Sequence, residues 1–138
     1  MRYLCLIHLN EDTLAGMPSS EMSDLNAEHL DFNDRLRASG HFIVAEALEP
    51  ASTTACVRVR QGETSFTDGP FTEAKEVVGG FAIFDVPSKA EMLKWTTRFM
   101  DLHKKHLPGW EGECEVRQIA GPGEKLCDQA REAQAAAI

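Results

Sequence analysis

The apolar positions of this chain follow two periods. Residues 2–9, RYLCLIHL, set Tyr3, Cys5, Ile7 and Leu9 on one face and Leu4, Leu6 and His8 on the other, which is the alternation of a β-strand. Both faces are largely apolar, so neither suits water. The segment GGFAIFDV (79–86) has the same two-faced character. HFIVAEAL (41–48) and EGECEVRQI (111–119) are further strand candidates, and ACVRVRQGETSFTD reads as a hairpin turning at Gln61-Gly62.

Two segments change to the helical period. Over 19–39, Met22, Leu25, His29, Phe32 and Leu36 recur at spacings of three and four, forming one stripe. Ser19 or Ser20 is available to cap its start, and Gly40 stands where a C-terminal glycine belongs. The second helix starts at Ser88, after Pro87, where Ser88 and Glu91 have the spacing of a capping box. Its stripe runs through Met92, Trp95, Thr96, Phe99, His103 and His106 to a stop at Pro108-Gly109. NEDTLAGMPSS and EPASTT read as loops, and AGPGE as a linker to an alanine-rich helical tail over 124–137.

The resulting order, β-α-β, hairpin, β-α-β, is the pattern of an α+β ferredoxin-like sandwich with an inserted β-hairpin and a C-terminal helical tail. Residues 1–120 form the domain and 121–138 the linker and tail. Two helices cover only one face of such a sheet, yet the strands at 2–9 and 79–86 are apolar on both. A second copy of the chain, paired as an isologous homodimer, is the simplest cover for the other face.

Composition narrows the partners. At 138 residues, 43% hydrophobic and 26% charged, the chain is an ordinary globular domain. Its formal charge of −8 repels phosphate backbones, so direct nucleic-acid binding is not expected. The N-terminal apolar run is too short to span a membrane and has no small-residue cleavage site. Cys5, Cys56, Cys114 and Cys127 are far apart in sequence, and the first three fall in apolar, strand-like contexts. The spacing predicts reduced cysteines in a cytoplasmic protein, with neither a disulfide framework nor a zinc knuckle.

Several side chains are candidates for chemistry. His29 lies within an apolar stripe, either as a core histidine or as a pocket-lining base. An imidazole titrating near roughly 6.5 removes a proton at neutral pH without strong tuning. The run SFTDGPFTEAKE (65–76) divides in two. Asp68-Gly69-Pro70-Phe71 has a backbone reason for each residue as a rigid turn. Glu73, Lys75 and Glu76 are either a solvated charged loop or, through Lys75 and Glu73, contacts to an anionic substrate group. His8 is a further pocket candidate on the strand face next to Leu4 and Leu6. His103 and His106 complement the dipole at a helix C-terminus. No third ligand is spaced to make them a metal site. Trp110 is expected to anchor a helix–strand junction or a dimer contact. No phosphate-cradling loop or nucleophile elbow is present, and Gly79-Gly80 lacks a dinucleotide fingerprint.

TDGPFTEAKEVVGGF (67–81), with RYLCLIHL before it and PGWEGECEVRQI (108–119) after it, resembles the YCII-related proteins of the DGPF branch. The likeness extends through about residue 120. It implies a ferredoxin-like fold pairing into a dimeric α+β barrel. It also implies an active-site dyad of a histidine on the first helix with an aspartate, which falls here on His29 and, as candidate partner, Asp68. Related barrels include isomerases, lyases and cofactor-free oxygenases acting on small ring compounds, an analogy of fold alone. The expected activity is therefore a cofactor-independent lyase or isomerase step on a small metabolite, with His29 as general base. The resemblance equally implies an alternative, a non-enzymatic ligand-binding or regulatory module associated with an alternative sigma factor.

Overall fold

The structure, a computed structural model, describes residues 1–68, 76–121 and 126–137. Strand β1 (Arg2–Leu9) leads through a short helix α1 (Glu11–Ala15) into α2 (Ser19–Ser39) and β2 (Phe42–Ala47). A 3₁₀ turn at Ala51–Thr53 precedes β3 (Ala55–Arg60) and β4 (Glu63–Asp68). Then come β5 (Val77–Asp85), α3 (Lys89–His106), β6 (Glu113–Gln118) and α4 (Leu126–Ala136). The main sheet has the order β2-β5-β1-β6 and is antiparallel throughout. With β3 and β4 set aside as a separate two-stranded ribbon, this is the ferredoxin-like β-α-β-β-α-β arrangement.

Local chemistry accounts for most of the boundaries. Ser88 accepts a hydrogen bond from the Glu91 N–H at 3.2 Å and caps α3. Gly40 ends α2 in the left-handed region, at φ +80°, where a side chain is disfavoured. Gln61 and Gly62 both take positive φ at the ribbon's turn, the signature of a tight hairpin whose twist matches its strands. Two expectations change. The cap of α2 is Pro18 and no serine side chain bonds there. The segment after β1 is also not all loop: Asn10 accepts from the Asp12 N–H at 3.0 Å and starts α1.

Helices α2 and α3 lie on one face of the sheet. Tyr3, Cys5 and Phe84 from the strands pack with Phe32, Leu36, Met92 and Trp95 from the helices in one core. The outer face carries Leu4, Leu6, Phe81, Ile83 and Val44, all only partly buried. No described helix is long and apolar enough to cross a membrane.

One expectation is overturned in the core. Cys5 and Cys114 form a disulfide, with Cα atoms 6.1 Å apart. In the β1–β6 register Cys5 faces Val116 and Ile7 faces Cys114, so the two cysteines are diagonal neighbours on the helix-covered face. A sequence separation of 109 conceals that adjacency, which exists only because β6 returns beside β1. Cys56, on the ribbon, is free.

A bridge across 109 residues restricts the unfolded chain strongly, with typical contributions of about 2–4 kcal/mol. Urea unfolding with and without dithiothreitol is expected to show a loss of that size. Thiol alkylation of the denatured, unreduced chain is expected to leave Cys5 and Cys114 unlabelled.

Candidate functional site

The two helical stripes do not fill the space above the sheet. Between α2, α3 and the strands lies a cavity of about 320 Å³, lined mainly by apolar side chains, with Asn33, His29 and His103 among its polar groups. The glycine pair of β5 shapes its floor. A Cβ on Gly79 would lie 2.4 Å from Leu9 Cδ2, and one on Gly80 would lie 2.9 Å from the Glu46 carbonyl oxygen. Both positions are cavity walls, so the run serves close approach of neighbouring strands and side chains and adds no side chain of its own to the floor.

His29 enters this space because the α2 stripe turns it inward between the buried Leu25 and Phe32. Its ring stacks on Phe99 at a centroid distance of 5.1 Å and lies 4.9 Å from the His103 ring. Its Nε2 is buried and has no hydrogen-bond partner. Burial lowers the pKa from 6.5 to about 4, helped by positive charge on His103 and His106 and opposed by Glu28. The ring is consequently neutral at physiological pH.

His103 is the second imidazole of the cavity. Its Nδ1 lies 3.2 Å from the Phe99 carbonyl oxygen, an arrangement in which Nδ1–H donates and Nε2 keeps its lone pair. Burial is the leading cause of its lowered pKa, which the bond to Phe99 partly offsets. On its far side Trp110 stacks at 4.9 Å and 24°, and Gly112 leaves room for that indole, since a Cβ there would come within 2.4 Å of it. His29, His103 and Trp110 thus form a column of rings from the cavity to the junction of α3 and β6. Beside it, Glu28 ties α2 to α3 through Lys105 Nζ at 2.5 Å and His106 Nε2 at 3.0 Å. Lys105, then His106, holds the Glu28 carboxyl below its ordinary pKa.

The structure separates the other sequence candidates from this site. Asp68 ends β4, exposed and paired with Ala55. It neither lines the cavity nor figures among the charges that act on His29. Within one protomer the expected His29–Asp68 dyad is therefore not formed, because β4 belongs to the ribbon and not to the sheet under α2. His8 points to the outer face, where its Nε2 is 3.7 Å from Glu115 Oε2. Glu73 and Lys75 lie outside the described residues, as do the last three residues of the DGPF turn.

His103, read from sequence only as a helix-end charge or half of a metal pair, was the residue to join to His29. The signal was present: it follows Phe99 by one helical turn on the same stripe. What the sequence lacked was the pairing of that stripe with the His29 stripe across α2 and α3.

With this geometry established, likeness to known proteins is informative. The sequence profile of the YCII-related domain matches residues 1–100. An uncharacterized protein of Rhizobium meliloti (strain 1021) is 29% identical over 130 residues, covering 90% of this chain and 98% of that protein. A solved structure with 20% identity is a 5-chloro-2-hydroxyhydroquinone dehydrochlorinase from Burkholderia phenoliruptrix AC1100, in complex with 2,5-dihydroxybenzoquinone. That likeness covers 91% of this chain and 100% of that one, at a TM-score of 0.46. On the profile match over most of its length, the chain belongs to the YCII-related family.

Proposed function

We propose that this protein is a cofactor-independent lyase or isomerase in which His29 is the general base acting on a small ring compound bearing a hydroxyl or carbonyl group. The observation that carries the proposal is a neutral imidazole in the wall of an apolar cavity, its buried Nε2 without a protein partner. A volume of about 320 Å³ suits a metabolite of one ring, at the lower end of the roughly 300–1,000 Å³ of ligand sites. The aromatic side chains of Phe99 and Phe32 offer faces for such a ring.

The chemistry follows from the electrostatics. A neutral imidazole accepts a proton from a hydroxyl or from a carbon next to a carbonyl. The electron pair left behind forms an enolate, which takes a proton at another carbon in an isomerisation or expels a leaving group in an elimination. Burial, aided by the charges of His103 and His106, outweighs the support of Glu28 for a charged His29, which is why its pKa is low. The anion formed by proton removal supplies a counter-charge beside the ring, so the imidazolium is favoured only when substrate is in place. His103, with a free Nε2 lone pair, is positioned to accept a second hydroxyl proton as a hydrogen bond.

The same reading includes a homodimer. Leu4, Leu6, Phe81, Ile83 and Val44 make the outer sheet face apolar, no helix of the core lies on it, and a second copy of that face is its natural cover.

Two outcomes are expected. Hydroxyhydroquinone, as a probe of the substrate class, should exchange ring hydrogens for deuterium faster with the protein than without it, followed by NMR in deuterated buffer. His29→Asn should lower that rate about 10²–10⁴-fold while the protein keeps its fold by circular dichroism. A folded His29→Asn protein that exchanges at the wild-type rate would rule out the role.

The second outcome concerns stability. The unfolded chain protonates this histidine below about 6.5, whereas the folded chain does so only below about 4. The stability associated with the neutral ring is complete above about 6.5 and is lost as pH falls from there towards about 4. Urea midpoints at pH 7 and pH 4.5 are expected to fall further apart in the wild type than in His29→Phe.

A further inference from the structure

The β3–β4 ribbon is the part of the fold that nothing in the chain explains. Among the described strands it pairs with none outside itself. Its three large apolar side chains, Val57, Val59 and Phe66, are 73%, 71% and 75% exposed, more than any other large hydrophobic residue described. They share one face, because Phe66 stands opposite Val57 in the register and Val59 follows two residues on. The reverse face carries Cys56, Arg58, Arg60, Ser65 and Thr67. An isolated two-stranded ribbon is marginally stable in water, so an amphipathic one of this kind is built to lie on something.

We infer that the ribbon is a clasp for a second copy of this chain, its Val57–Val59–Phe66 face lying on the partner at the margin of the outer sheet face. This deepens the homodimer reading given above and rests on it. Each copy offers both halves of the contact: an apolar ribbon that does not cover its own sheet, and an outer face edged by the exposed Ile43 and Val78. A twofold axis makes the exchange reciprocal and closed, leaving neither patch over.

The area agrees with that occupant. At these exposures the three side chains present on the order of 300 Å² of apolar surface, comparable with the largest patch on a typical monomer. Reciprocal burial of both ribbons and the surfaces that receive them hides roughly 1,200 Å², which reaches the range of about 1,200–2,000 Å² for stable pairs.

Sedimentation equilibrium of the full chain tests the clasp, with Val57→Ser/Phe66→Ser as the ribbon variant and Leu6→Ser as a separate outer-face variant. Both ribbon positions are exposed in the protomer, so circular dichroism is expected to show an unchanged fold. The wild type is expected at twice 15.3 kDa, and the ribbon variant to dissociate at least about 100-fold more readily. Hydrogen exchange is expected to show ribbon amides protected in the wild type at concentrations that sustain the pair and exposed on dilution. A dimeric wild type with a ribbon variant that associates equally well overturns the clasp alone, with Leu6→Ser then reporting on the outer face. A monomeric wild type with freely exchanging ribbon amides overturns the clasp and the homodimer together, and assigns the patch to a different protein.

Discussion

An imidazole nitrogen buried in an apolar wall without a hydrogen-bond partner, as His29 Nε2 is here, is an unfavourable arrangement, and the cavity is built around it. Burying a polar atom unpaired costs on the order of 1–3 kcal/mol, so the rest of the core has to hold the ring where it is. Leu25, Phe32 and Leu36 fix the inward face of α2, Phe99 supports the His29 ring, and His103 takes the place beside it. Protonation is resisted chiefly because the ring is withdrawn from water, with the charges of His103 and His106 adding to the effect. Glu28 is next to it in sequence, but its carboxylate is engaged with Lys105 and His106 on the surface of the helix pair. The result is an imidazole held neutral at physiological pH, the state the proposed general-base role requires.

The cavity follows from sheet geometry as much as from the helices. Bare positions at Gly79 and Gly80 let β5 approach Leu9 and the β2 backbone and leave that part of the floor without side chains of its own. The Cys5–Cys114 bridge joins the central strand to the edge strand on the same face, and Cys5 is itself part of the cavity wall. A covalent tie close to the ring limits how far β6 can move from β1, and so limits how far the cavity can deform around a ligand.

Much of the fold was legible because its signals are local and periodic. The stripes of α2 and α3, the Ser88 cap, the Gln61-Gly62 turn and the left-handed Gly40 all depend on residues within a few positions of one another. The site was legible only in part. His29 could be singled out as a histidine on an apolar stripe, yet its neighbour could not, because His103 meets it through packing between helices far apart in sequence. Asp68 was a reasonable carboxylate to pair with His29 by motif, but a strand in a detached ribbon does not reach the cavity in one protomer. The disulfide was hidden for the same reason: residues separated by 109 positions become neighbours only through the β1–β6 pairing. The exposed apolar face of the ribbon was likewise invisible in the sequence, where Val57, Val59 and Phe66 read as ordinary strand residues.

The most direct test is the titration of His29 itself, followed through its imidazole nitrogens by ¹⁵N NMR in the free protein and in the presence of saturating hydroxyhydroquinone. The expected result is a midpoint near 4 in the free protein that moves upward when the probe is bound. A free-protein midpoint at the ordinary value near 6.5, unchanged by the probe, would contradict the account of His29 as a buried, unpartnered base.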